Sequence, residues 1–202
     1  SKQEVITLKI ISLDLILKSK RLIDASEKLK DAQKNLNFSA SELGMLSIHN
    51  PLLIASLMHR LNTLSTKDKS AILLEIGTYN GVNARLIAET DKRIHIYTFD
   101  LPLSDTRVLF KGSQDEIKRH IEVRKKNTNH QQISHFEKPS SCILSYLDII
   151  KTPDVIWIDG DHSTPQAEFD LMIAIYFLCI NDNCIILIDD ISEDGISQKG
   201  IE

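Results

Sequence analysis

The chain has no cysteine framework. Its three cysteines (Cys142, Cys179, Cys184) are odd in number and lack metal-ligand spacing, which excludes a disulfide scaffold and a zinc site. They read as free thiols in a reducing compartment, with Cys179 and Cys184 in apolar surroundings and expected to be buried. An excess of positive charge is missing too. The formal net charge of -4 offers no attraction to nucleic acid or anionic lipid. No apolar run is long enough to span a membrane. The segment from Val5 to Leu17 is broken by Lys9 and Asp14, and no small-residue cleavage site follows it. Internal repeats and low-complexity tracts are absent. What remains, 42% hydrophobic and 26% charged over 202 residues, is ordinary globular composition. It suits one α/β domain with a helical extension, expected in the cytoplasm.

Residues 4 to about 33 place Ile6, Ile10, Leu13, Leu17, Leu22, Ala25 and Leu29 at helical spacing. The front half is apolar on more than one face, so it needs partners on several sides: its own domain, or a second copy in a homodimer. Asn50-Pro51 predicts a helix start, with Asn as N-cap and Pro at the first helical position, leading into an amphipathic helix over Leu52 to Leu64. From Ala71 onward strands and helices alternate. Strands are expected at Ala71–Ile76, Ile94–Phe99, Gln132–Phe136, Val155–Asp159 and Cys184–Asp189. Helices are expected at Val82–Glu89, Gln114–Arg124, Ser140–Ile149 and Pro165–Cys179. The continuous apolar runs Val155–Ile158 and Ile185–Ile188 suit strands of a parallel sheet covered on both faces. The expected organisation is an N-terminal helical extension over 1–66, for packing, dimerisation or a lid, and an α/β domain over 67–202.

The first strand stops at Glu75-Ile76-Gly77-Thr78-Tyr79-Asn80-Gly81, and a helix follows. Two later strands also end in acids, at Asp100 and at Asp159-Gly160-Asp161-His162. Carboxylates at the same ends of neighbouring parallel strands make a site. The glycine spacing is not the G-x-G-x-x-G of a dinucleotide fold, so there is no phosphate cradle and NAD is disfavoured. The acid, the glycine and the second glycine resemble the first motif of the class I S-adenosylmethionine (SAM)-dependent methyltransferases. SAM carries a sulfonium and an ammonium but no phosphate, so acids are welcome around it.

That resemblance implies a Rossmann-like parallel sheet, order 3-2-1-4-5, with helices on both faces. It implies that Gly77 permits close backbone approach to the cofactor and that Glu75 lies near its amino-acid end. Thr78, Tyr79, Asn80 and Gly81 would complete the loop around it. Asp100 would accept hydrogen bonds from the ribose hydroxyls, and Asp159 would face the cofactor from the next strand end. Ser140 and Ser141 fall where family members contact the adenine, although Pro139 stands where an acid is common.

Adjacent parallel strands would also bring Asp159, Asp189 and Asp190 together, and three carboxylates in a small volume repel one another unless a cation sits among them. Oxygen ligands suit Mg²⁺ or another hard divalent cation. The arrangement resembles the metal-dependent O-methyltransferases, closest to the branch of macrolide sugar O-methyltransferases and cephalosporin-hydroxylase-like proteins. Carried over, the ligands are Asp159, Asp189 and Asp190; the plant and animal enzymes usually end the pair in Asn, so Asp190 is a departure. Where those enzymes commonly place a lysine, this chain has His162. Its ordinary pKa of ~6.5 suits a general base better than a lysine's ~10.4. Asp161 is the second candidate base. Alternatively Asp161-His162-Ser163 caps the helix near Pro165, with Ser163 or Thr164 as N-cap. The other histidines and Trp157 read as surface or packing residues.

The expected activity is methylation of a small-molecule hydroxyl, with a non-catalytic SAM-fold module as the alternative. A nucleic-acid methyltransferase of this fold would end the fourth strand in Asn/Asp-Pro-Pro-aromatic. The family fold normally adds a helix and a β-hairpin after the fifth strand. The polar segment after Asp190 is too short to supply them, so either the chain is a fragment of the family fold or the sheet ends at Asp189 and leaves Cys184–Ile188 as an apolar edge strand.

Overall fold

The computed structural model describes residues 20–36, 38, 49–63, 70–102, 105, 113–161, 163–189, 191–192 and 195–196. Two helices, α1 (Lys20–Leu36) and α2 (His49–Thr63), precede the alternating part. That part runs β1 (Ala71–Ile76), α3 (Val82–Thr90), β2 (Ile94–Asp100), α4 (Gln114–Thr128), β3 (Ile133–Glu137), a 3-10 helix (Ser140–Tyr146), β4 (Val155–Ile158), α5 (Gln166–Ile180) and β5 (Ile185–Ile188). Two-residue strands β6 (Ile191–Ser192) and β7 (Gly195–Ile196) form a small antiparallel ladder apart from the main sheet. Residues 1–19, which include most of the long apolar helix expected at the N-terminus, lie outside the described residues.

The main sheet is parallel and ordered β3-β2-β1-β4-β5. The chain moves outward from β1 through β2 to β3, then crosses back to β4 on the other side of β1. The crevice between the carboxyl ends of β1 and β4 is therefore the switch point at which open α/β sheets bind ligands. Strand residues alternate between two cores, as the two-residue period requires. Ala71, Leu73, Ile94, Ile96, Val155 and Trp157 pack with α1, α2 and α3 on one face. Ile72, Leu74, Ile76, Phe99, Ile156 and Ile158 pack with Ile143 and with Ile173, Ala174 and Phe177 of α5 on the other. Trp157 is core, as its strand setting predicts.

Asp154 ties α2 to the sheet. Its carboxylate accepts from Arg60 Nε (3.1 Å) and Nη2 (2.9 Å), and from the Ile72 amide (2.9 Å).

Three local expectations are corrected. The region after Pro139 winds as a 3-10 helix that ends at Tyr146. The N-cap of α5 is Pro165, without a side-chain cap bond, and Thr164 Oγ1 donates to Glu168 instead (3.0 Å). Cys179 is exposed, because α5 is apolar nearly all round and only part of it can face the sheet. Cys184 is buried as expected, and burial pushes its thiol up to about 12, which leaves it unreactive.

Candidate active site

Glu75 is the next residue in the row Ala71, Leu73 on the face covered by α1, α2 and α3, and it is 1% exposed. A buried carboxyl group needs hydrogen-bond partners. Thr98 Oγ1 donates to one of its oxygens (2.5 Å) and Asn83 Nδ2, from α3, to the other (2.6 Å). Behind these stands a second tier: Thr78 Oγ1 bonds Thr98 Oγ1 (2.7 Å), and Asn50 Nδ2 donates to Asn83 Oδ1. Burial pushes the Glu75 pKa up to about 7; Thr98 and Asn83 pull it down, while the charges of Asp159 and Asp100 raise it further. α2 begins at His49, one residue before Asn50, whose side chain is given to this network.

The loop leaving β1 is built around three left-handed residues, Gly77 (φ 102), Tyr79 (φ 48) and Gly81 (φ 74). The two glycines serve different neighbours. A Cβ on Gly77 would stand 1.9 Å from the Asp159 carbonyl oxygen, so its bare backbone lets β1 and β4 meet at the switch point. A Cβ on Gly81 would press on Thr128 (3.0 Å) and Asn127 (3.1 Å), so this glycine admits α4. Tyr79 has no such freedom, and its conformation costs about 1–2 kcal/mol. Both ends of the residue are held. Its amide donates to Asp100 Oδ2 (2.7 Å), and its carbonyl accepts from Arg124 Nε and from His120 Nε2 (3.2 Å). The Asn80 side chain accepts from the Val82 amide (3.0 Å) at the start of α3, and the Asn80 carbonyl accepts from Asn127 Nδ2 (2.9 Å).

Asp100, half-buried at the end of β2, accepts from three donors: the Tyr79 amide, the Leu101 amide (2.8 Å, to Oδ1) and Arg124 Nη2 (3.0 Å, to Oδ2). Asp159, just beyond β4, is exposed. Asp189, just beyond β5, is half-buried, and its amide donates to the Ile158 carbonyl (2.9 Å), so the two strand ends lie side by side.

The expected residues thus divide. Glu75, Asp100, the 77–81 loop and Asp159 are brought together at the switch point. Thr78 takes part through a buried side chain that braces Thr98. Ser140 is buried and donates to Asp170 of α5 (2.5 Å), while Gln166 Nε2 donates to both (2.8 and 2.7 Å); Ser141 is exposed. Asp161 accepts from the Ser163 amide (2.9 Å). His162 and Asp190 lie outside the described residues. Among the described residues no group of three His, Cys, Asp or Glu side chains is placed to hold a metal ion.

The profile of the family described as a methyltransferase domain matches residues 74–191, more than half of the chain. The chain belongs to this methyltransferase family. The match spans the whole constellation from the residue before Glu75 to β5. Among solved structures, the methyltransferase is similar to a Staphylococcus aureus protein described as a caffeoyl-CoA O-methyltransferase. Identity is 16% over 88% of this chain and 69% of that one, with a TM-score of 0.45. It is also similar to the S-adenosylhomocysteine-bound methyltransferase PaMTH1 of Podospora anserina, with 17% identity over 91% and 73% of the two chains and a TM-score of 0.46. No curated protein matches.

The methyltransferase has site residues that the motif does not reveal: Arg124, His120 and Asn127 on α4, and Asn83 and Asn50 behind Glu75. The α4 signal is visible only in retrospect. His120, Arg124 and Asn127 are spaced four and three apart on one helical face, and all three are buried.

Proposed function

We propose that this methyltransferase takes SAM in the crevice at the carboxyl ends of β1, β2 and β4 and transfers its methyl group to a hydroxyl of a small molecule, with help from a hard divalent cation such as Mg²⁺. The observation that carries the reading is Asp100: a carboxylate pinned beside the Tyr79 amide at a strand end, next to a loop without a phosphate cradle. That chemistry suits ribose hydroxyls, and the acids around it suit a cationic cofactor.

When bound, SAM supplies an electrophilic methyl on a sulfonium, and the cation supplies positive charge that lowers the pKa of an acceptor hydroxyl. The chain does the positioning. Glu75 closes the floor beneath the amino-acid end, and Asp100 orients the ribose. Asp159 and Asp189, at neighbouring strand ends, offer the carboxylate oxygens a hard cation prefers, with Asp190 as the third ligand of this reading. His162, or Asp161, would take the proton of the acceptor hydroxyl.

Domain 1–66 is read as the extension that seats α2 behind Glu75. A second copy of the chain is read as a partner, supported by the exposed apolar side chains Met172, Ile175 and Ile180 on α5. Among the described residues no helix is long and apolar enough to cross a membrane.

The test is calorimetric titration of S-adenosylhomocysteine into the wild-type chain and Asp100→Ala, with and without Mg²⁺. We expect wild-type binding that Mg²⁺ tightens and that Asp100→Ala weakens at least about tenfold, the worth of one hydrogen bond to a charged group. Folded wild-type protein that binds nothing overturns the reading.

A further inference from the structure

The Arg124 side chain is only 3% exposed. Its guanidinium is spent on the cofactor crevice from behind. Nε donates to the Tyr79 carbonyl, Nη1 to the Leu101 carbonyl (2.9 Å) and Nη2 to Asp100 Oδ2 (3.0 Å). These acceptors belong to two different loops, the one leaving β1 and the one leaving β2. A lysine could not replace this fork, because an ammonium offers its three donors from a single atom.

Counting lone pairs on Asp100 gives the consequence. Oδ2 accepts from both the Tyr79 amide and Arg124, which uses its two acceptor positions. Among the described residues Oδ1 accepts from the Leu101 amide alone, which leaves one position. The carboxylate is therefore held in one rotamer with one acceptor direction left for a ligand.

We infer that Arg124 is a positioning residue for cofactor recognition: it locks Asp100 so that the single open acceptor position on Oδ1 meets one ribose hydroxyl. The inference rests on the SAM reading above and adds to it a residue, a stoichiometry and a direction. Arg124 itself does not touch the cofactor. A purely structural Arg124 would hold α4 to the two loops, and its loss would weaken every nucleoside ligand alike. A positioning Arg124 matters only to ligands that carry the hydroxyl.

The experiment measures binding of S-adenosylhomocysteine and its 2′,3′-dideoxy analogue by calorimetry to wild type, Arg124→Gln and Arg124→Lys, with circular dichroism to verify folding. Wild type is expected to prefer the natural ligand about tenfold or more. In the variants that preference is expected to fall to within about twofold, with the dideoxy analogue changed by less than about threefold. Should Arg124→Gln fail to fold, Arg124→Lys, which keeps the charge and loses the fork, decides the matter. Variants that keep the wild-type preference, or that lose affinity for both ligands equally, overturn the inference and leave the cofactor site standing. Folded wild type that binds neither ligand overturns the cofactor reading, and the inference falls with it.

Discussion

Replacing Glu75 by Gln tests the electrostatics of the site without emptying it. The free-energy argument runs on proton counts. Below pH 4.5, the ordinary value for the group, Glu75 is protonated whether the chain is folded or not. Between 4.5 and about 7 the folded chain keeps a proton that the unfolded chain has released, so stability falls as pH rises. Above 7 both states are ionised and the loss levels off. A displacement from 4.5 to about 7 corresponds to about 3 kcal/mol in total, of which about 2 to 3 kcal/mol is lost between pH 5 and 8. Gln cannot ionise. It also fits the network: its carbonyl can accept from Asn83, and its amide can donate to Thr98 Oγ1, whose own proton turns to Thr78. Urea unfolding of both proteins at pH 5, 6, 7 and 8 reads the difference directly. Histidines such as His95 and His135, which burial holds below their usual range, titrate equally in both proteins and cancel. The expected result is a gain for Glu75→Gln that grows by about 2 to 3 kcal/mol from pH 5 to 8. Parallel profiles would refute the reasoning, because they would mean that burial does not hold the proton on Glu75.

Two further substitutions probe how the site is framed. Gly77→Ala puts a methyl carbon 1.9 Å from the Asp159 carbonyl oxygen on a residue with φ 102. Thermal unfolding should show a loss of about 3 kcal/mol or more, together with loss of S-adenosylhomocysteine binding, and unchanged melting would contradict the close approach of β1 and β4. Asp154→Asn removes the charge that two nitrogens of the half-buried Arg60 share, and should cost about 2–3 kcal/mol in urea unfolding. A loss below about 0.5 kcal/mol would place the pair with ordinary surface ion pairs.

The sheet was legible because its signals are local. Apolar runs such as Val155–Ile158, and the acids and glycines at their ends, mark a parallel strand and its carboxyl end without knowledge of any other part of the chain. The braces around the site were not legible, because each is a contact between distant segments. Gly77 and Gly81 look alike in sequence, yet one makes room for the backbone of Asp159 and the other for α4. Asn50 has every mark of an N-cap, and its amide is nevertheless turned to Asn83. α4 hides its role most completely. Its buried residues, His120, Arg124 and Asn127, are polar, so a search for an apolar stripe passes over the face that grips the loop.

Glu75, Asp100, Asp159 and Asp189 all stand at the carboxyl edge of the sheet, and the chain treats them differently. Burial pushes the Glu75 pKa up to about 7. Asp100 accepts from a guanidinium and two amides. Asp159 and Asp189 sit at neighbouring strand ends, one exposed and one half-buried. In the proposed reading a hard cation would sit on the β4–β5 side of the crevice and the ribose of a nucleoside on the β1–β2 side. The two sides are coupled, because the charge of Asp159 is one of those that raise the Glu75 pKa. A cation drawn to Asp159 relieves that repulsion and favours ionised Glu75, which in turn favours the ammonium end of the cofactor. By this argument magnesium and cofactor should bind cooperatively, which is why the titration with and without Mg²⁺ speaks to the metal as well as to SAM.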